Sequence, residues 1–142
     1  MTRDDIKALL TTMPFVRDLG VDVLDIHKNG LICYMPFAEK LIGNVVLPAI
    51  HGGAISTFLE SSSVATANWS ASDFGLTDIA LPVSVSLEYL RSAKPQDLYA
   101  RTEVVKQGRR LVQVICHCYQ DDPEKPVTIM HASFIMTKSQ GA

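Results

Sequence analysis

The run GAISTFLESSSVATANW, residues 53–69, decides the fold. It holds no Lys or Arg and a single acid, Glu60, among apolar or small residues such as Ala54, Ile55, Phe58, Leu59, Val64, Ala65 and Ala67. A helix this apolar all round is a buried one. Upstream, Ile6, Leu9, Leu10 and Met13 recur at helical spacing, which predicts a short amphipathic helix over 3–13. Thr2 can cap it, Asp4 and Asp5 suit its first turn, and Pro14 ends it. Residues 20–28 and 31–37 read as strands joined at Asn29-Gly30, a hairpin signal because both residues tolerate positive φ. Residues 38–51 read as a loop, and 70–78 as a polar loop after the long helix. Four strand-like runs follow, 83–90, 98–106, 111–120 and 127–137, with Gly108 and Asp121-Asp122-Pro123 marking turns. The order is helix, hairpin, long helix, antiparallel meander. An α+β architecture with one antiparallel sheet wrapped around one central helix satisfies it.

Composition narrows the function classes. The 142 residues suit one domain spanning 1–142 with one core. Apolar residues make up 47% and charged residues 20%, the balance of a globular protein rather than a disordered one. With net charge -2 and a pI near 6.0, no overall basic field invites nucleic acid. No uncharged apolar run reaches the roughly 18 residues of a membrane span. Three Cys, an odd count, and a polar opening without an apolar signal segment point to a reduced, cytoplasmic setting. Cys116-His117-Cys118 has the residue types of a metal site. Strand alternation separates His117 from both thiols, however, and places Val112 and Val114 on the Cys face, so core thiols and no metal are expected. His117 and His131 fall on the outer face of adjacent strands, where a structural role is expected.

Chemistry concentrates around the long helix. Glu is almost never buried unpaired, and the helical neighbours of Glu60 are Ser56, Thr57, Ser63 and Val64, with no cation among them. Any exposed Glu would pass unremarked, but one on an apolar helix is a candidate functional carboxylate. At the helix entrance stands His51-Gly52-Gly53. Helix N-termini present unpaired N–H groups and a positive partial charge, and glycines let a ligand oxygen come close. Such a site suits the oxyanion of a thioester, although a Gly pair also serves simple tight turns. Gly52 and Glu60 are eight residues apart, about 12 Å along a helix axis. One thioester cannot easily reach both in one chain. Two antiparallel copies of the helix would set Gly52 of one beside Glu60 of the other, which suggests a homo-oligomer with shared sites.

Taken in order, Ile42-Gly43-Asn44, His51-Gly52-Gly53-Ala54-Ile55 and Glu60 resemble the hotdog-fold acyl-CoA thioesterases of the phenylacetate-degradation (PaaI-like) type. These share an Asn, a His-Gly-Gly at the helix start, and an Asp or Glu nine residues after the His. Glu88-Tyr89-Leu90-Arg91-Ser92-Ala93-Lys94-Pro95 is similar to the family's strand ending in a YLRPAK turn, with Ser92 in place of the Pro. Gln107-Gly108-Arg109-Arg110 is similar to its Gly-basic hairpin, and Pro14-Phe15 with Leu19-Gly20 fits its opening. The resemblance implies hydrolysis of acyl-CoA to free acid and CoA, without metal or organic cofactor. Gly52 N–H would polarise the thioester carbonyl, His51 and Gly53 would shape that site, and Asn44 would orient water or substrate. Asn44 stands seven residues before His51, where many relatives have six, with Pro48 in between. Glu60 would act as general base or as nucleophile through an anhydride. Ser84 is the one hydroxyl candidate beside the thioester, and Arg91, Ser92, Lys94, Arg109 and Arg110 would meet CoA. On charge alone, those cations sit at strand ends of an acidic chain, as an anionic ligand needs, or as ordinary solvated turns do. Leu47, Ile50, Phe58, Leu59, Trp69 and Phe74 are candidate pocket walls.

Two rival readings stand beside this one. A hotdog dehydratase or hydratase would pair a His with an acid in a different motif. A non-catalytic acyl-CoA-binding regulator would need an output domain, and only about twenty residues precede the first strand.

Overall fold

The computed structural model describes residues 1–73 and 79–136. Thr2 closes a capping box with Asp5 and opens α1 (Arg3–Thr11). Ile6 and Leu10 turn inward. Pro14 does not simply end this helix. It is the first residue of a second one, α2 (Pro14–Leu19), where its missing N–H and fixed φ do no harm. Gly20, at φ 75°, takes the left-handed conformation that ends it.

Strands β1 (Asp22–His27) and β2 (Gly30–Met35) form the expected hairpin, but for a different reason. Neither Asn29 nor Gly30 has positive φ. Gly30 lies against the next strand so closely that a Cβ would sit 2.0 Å from the Thr102 carbonyl oxygen. Close approach, not turn geometry, demands the glycine. The stretch 38–51 is also more than a loop: a 3-10 turn (Glu39–Leu41) leads into a small hairpin of β3 (Ile42–Asn44) and β4 (Ala49–Ile50).

Helix α3 runs Gly52–Ser72, one residue earlier and three residues later than the sequence reading. Strands β5 (Ala80–Tyr89), β6 (Leu98–Gln107), β7 (Leu111–Tyr119) and β8 (Thr128–Met136) join the first hairpin. All pairings in the resulting sheet are antiparallel, in the order β1-β2-β6-β7-β8-β5. β5 begins earlier than expected and lies at the sheet edge.

The sheet wraps one face around α3. Along β7, Val112, Val114, Cys116 and Cys118 are buried against the helix, and His117 points to the other face. Phe58 and Leu59 of α3 and Phe134 of β8 are fully buried at the centre. Truncating either Phe to Ala would cost about 3–5 kcal/mol. The helix also buries Ser61, Ser62 and Thr66 without orphaning them. Ser61 and Ser62 donate to the Phe58 carbonyl, and Thr66 donates to that of Ser62. Small hydroxyls bonded to their own helix let the sheet come close.

α3 is not enclosed along its whole length. Residues 61–68 are buried on every side, whereas Gly53, Ser56, Thr57 and Glu60 keep partial exposure. These four positions follow the three- and four-residue spacing of one helical face. The helix is antiparallel to β5: Tyr89 touches Gly52, and Ala80 N–H donates to Asn68 Oδ1. No helix among the described residues is long and apolar enough to cross a membrane.

Candidate active site

The start of α3 is fixed from three directions. His51 N–H donates to the Leu41 carbonyl, Ile50 N–H to that of Ala93, and the Tyr89 hydroxyl to that of Gly52. A helix leaves its first N–H groups without intrahelical partners, and here they are not treated alike. Gly53 N–H donates to His51 Nδ1 at 2.8 Å, so His51 caps the helix with its ring. Ala54 and Ile55 both donate to the His51 carbonyl. Gly52 N–H alone of this group has no partner among the described residues.

The glycines differ in the same instructive way. A Cβ on Gly43 would sit 2.8 Å from the His51 backbone and ring, and one on Gly53 would sit 2.9 Å from His51 Nδ1. Both glycines make room for the imidazole. The atoms nearest a Cβ on Gly52 would be those of the Tyr89 phenol, at an ordinary 3.4 Å. Packing within the chain gives no reason for glycine at 52, the position with the free donor.

Two hollows flank this helix end. One, of about 350 Å³, is lined by Ala49, Ile50, Gly52, Ile55, Tyr89, Arg91 and Ser92. The other, of about 620 Å³, runs beside the open α3 face and is walled by Phe15, Leu19, Leu41, Ile42 and Ala54, with Lys40, His51, Ser56 and Thr57. Glu60 lies two turns along that face, half-buried, with neither hydrogen bond nor ion pair among the described residues.

The fold therefore groups His51, Gly52, Gly53, Arg91 and Ser92, with Lys94 close behind in the segment after β5. The other candidates are placed differently. Asn44 turns its Oδ1 back onto its own hairpin, accepting from Val46 and Leu47 N–H at 3.0 and 3.3 Å. Its exposed hairpin tip needs that carbonyl to satisfy a tight turn. Ser84 pairs with Ser133, on the face of the sheet opposite the buried Ala132 and Phe134. Paired residues of antiparallel strands share a face, so Ser84 points away from α3. Arg109 and Arg110 precede Leu111, which aligns through Ile135 with Leu81 at the beginning of β5. Arg91 follows the end of β5. The two cation pairs are thus separated by nearly the whole strand, roughly 30 Å.

Among the candidate walls, Ile50 lines the smaller hollow. Phe58 and Leu59 are core, Leu47 stands exposed on the hairpin tip, and Trp69 is about 25 Å along the helix from Gly52. Phe74 lies outside the described residues. Tyr89 escaped the sequence reading as a site residue. Its partner Gly52 is 37 residues away, and no local pattern announces such a contact.

Comparison with known proteins agrees with this fold. A family model for the acyl-CoA thioesterase N-terminal domain matches residues 45–136, and the chain belongs to that family. Among curated proteins no sequence matches. A Chromobacterium violaceum protein of known structure is 30% identical, with a TM-score of 0.73 over 95% of this chain and 91% of its own. A thioesterase from Haemophilus influenzae superposes with a TM-score of 0.81 at 13% identity, covering 100% of this chain and 96% of its own. A phenylacetic acid degradation-related protein from Ralstonia eutropha gives 0.75 at 20% identity, over 87% of this chain and 90% of its own. The last two are likenesses of fold, and the fold is the hotdog.

Proposed function

We propose that the chain, as one domain over residues 1–142, hydrolyses acyl-CoA thioesters at sites shared between two copies, in the manner of the PaaI-like enzymes. The observation that carries this reading is the Gly52 N–H: a free donor at a helix N-terminus, on a glycine that internal packing does not require. Such a donor suits the carbonyl oxygen of a thioester, on which negative charge grows as the carbon is attacked. Gly53 and the His51 ring hold the donor's surroundings in place.

Glu60 supplies the other half. It takes a proton from water as the water oxygen bonds to the carbonyl carbon, or it attacks that carbon itself to give an anhydride that water then opens. The C–S bond breaks and CoA leaves as the thiol. Asn44 retains its Nδ2 donor to orient water or substrate. No metal or organic cofactor is required by this chemistry.

About 12 Å of helix separates Gly52 from Glu60, so the carboxylate comes from a second copy. The edge strand supports this arrangement. Among the described residues β5 leaves one side unpaired and exposes Leu81, Val83 and Val85, the kind of edge that pairs with another strand. Antiparallel β5–β5 pairing sets the beginning of one strand near the end of the other. One chain's Arg91, Ser92 and Lys94 then lie on the side of its partner's Arg109 and Arg110, and together they meet the CoA phosphates. Three unpaired cysteines are in keeping with a cytoplasmic setting.

The test is thiol release from short, medium, long and aromatic acyl-CoAs, with Glu60→Ala in parallel. The expected result is turnover of at least one class by the parent and loss of most of it in the folded variant. Equal rates for the two would refute the role of Glu60. Binding without cleavage by the parent would favour a non-catalytic acyl-CoA-binding module.

A further inference from the structure

Tyr89 has no role in that mechanism, yet its phenol ties the edge strand to the helix that carries the free donor. The hydroxyl donates to the Gly52 carbonyl at 3.0 Å. That carbonyl and the Gly53 N–H are the two ends of a single planar peptide group. The Gly53 N–H in turn donates to His51 Nδ1 at 2.8 Å. One peptide is thus gripped at both ends, by β5 through a phenol and by the imidazole.

The grip has an electronic consequence. A donor on a peptide carbonyl polarises the amide and strengthens its N–H as a donor. A ring nitrogen that accepts such a bond carries no proton, so the proton of the neutral imidazole sits on Nε2. Sterics hold the ring in the same pose. Gly43 leaves no more than the room the imidazole needs, since a Cβ there would lie 2.8 Å from His51 Cδ2. His51 is exposed, and Nε2 has no hydrogen-bond partner among the described residues.

We propose that Tyr89 is a positioning residue: acting through the Gly52–Gly53 peptide, it locks His51, the N-cap of α3, as the Nε2–H tautomer and so gives the entrance of the helix a second donor. That this donor meets a thioester rests on the function proposed above. The tautomer lock does not.

The experiment compares the full chain with Tyr89→Phe. Proton–nitrogen correlation spectra of isotope-labelled histidine show which ring nitrogen of His51 bears the proton, and kcat and KM are measured on the best acyl-CoA. Tyr89 is 55% exposed, and Phe keeps the ring, so the variant is expected to fold. The expected result is a single Nε2–H tautomer in the parent and a tautomer mixture in the variant. With it, kcat falls about tenfold while KM stays within about twofold, as loss of one hydrogen bond of ordinary strength would give. An Nδ1–H signal or a mixture in the parent overturns the lock, and so does an unchanged spectrum in the variant. A shifted spectrum with the parental kcat overturns the link to turnover. Glu60→Ala judges the thioesterase reading separately. If the parent cleaves no thioester, that reading fails, and the spectra alone still decide the lock.

Discussion

Gly43 and Gly53 border one imidazole whereas Gly52 faces the Tyr89 phenol, and their reasons for being glycine differ accordingly. Gly43 and Gly53 give His51 its place. Gly52 has space for a side chain but keeps an unpaired N–H at the first position of α3. Proline tests that donor cleanly. The first helical position favours Pro, and His51 at ψ 130° already has the extended geometry required before one. Gly52→Pro is expected to fold and melt near the parent while kcat falls about a hundredfold or more, the usual effect of deleting an oxyanion donor. Gly53→Ala should instead displace the His51 ring and lower the melting temperature. A Gly52→Pro variant with parental kcat would remove this N–H from the mechanism.

At the scale of elements, α3 and β5 share the work. The helix is enclosed over residues 61–68 and open along the Gly53–Glu60 face, and β5 is the strand beside it with an edge unpaired among the described residues. Val83 sits at a bulge in the middle of that edge and is 53% exposed. A charge there should block strand addition. Val83→Lys is expected to shift the chain from dimer to monomer in light scattering and to abolish turnover with it. A monomeric variant that retains the parental rate would rule out shared sites.

Much of this was legible beforehand, because burial writes itself into periodicity. The apolar run 53–69 announced a central helix, and Val112, Val114, Cys116 and Cys118 announced the inner face of β7. What escaped depends on contacts far apart in the chain. Pro14 both follows one helix and starts another, which local pattern does not separate. Gly30 read as a turn residue, whereas its need comes from Thr102. The positions of His51, Gly52 and Glu60 followed from their spacing. Those of Ser84 and Asn44 did not, since a bulge and a two-residue turn bond decide where they point.

On the scale of the whole molecule, the sheet closes over its thiols. Burial pushes Cys33 up to about 12, with a hydrogen bond to Ser62 opposing. Cys116 and Cys118 are also raised, chiefly by burial. At pH 8 all three therefore remain protonated and inaccessible, unlike a reactive thiolate. A thiol reagent is expected to label none in the native chain and three after denaturation. The sign of the linkage is also fixed. Neutral thiols favour the fold fully below the unfolded value of about 8.5, and that contribution is lost as pH rises toward the folded values. Denaturant midpoints should hold through neutral pH and fall above about pH 9. A thiol that reacts in the native state would contradict the packing of β2 or β7.

The central claim is that Gly52 of one chain and Glu60 of another make one site, and subunit mixing tests it directly. Gly52→Pro and Glu60→Ala are each expected to be inactive alone. Co-refolded in equal amounts, they should form about half mixed dimers, each with one intact site, and recover about a quarter of the parental rate. If both residues served a site within one chain, every site in the mixture would lack one of them. Activity no higher than that of the two variants alone would then contradict the account.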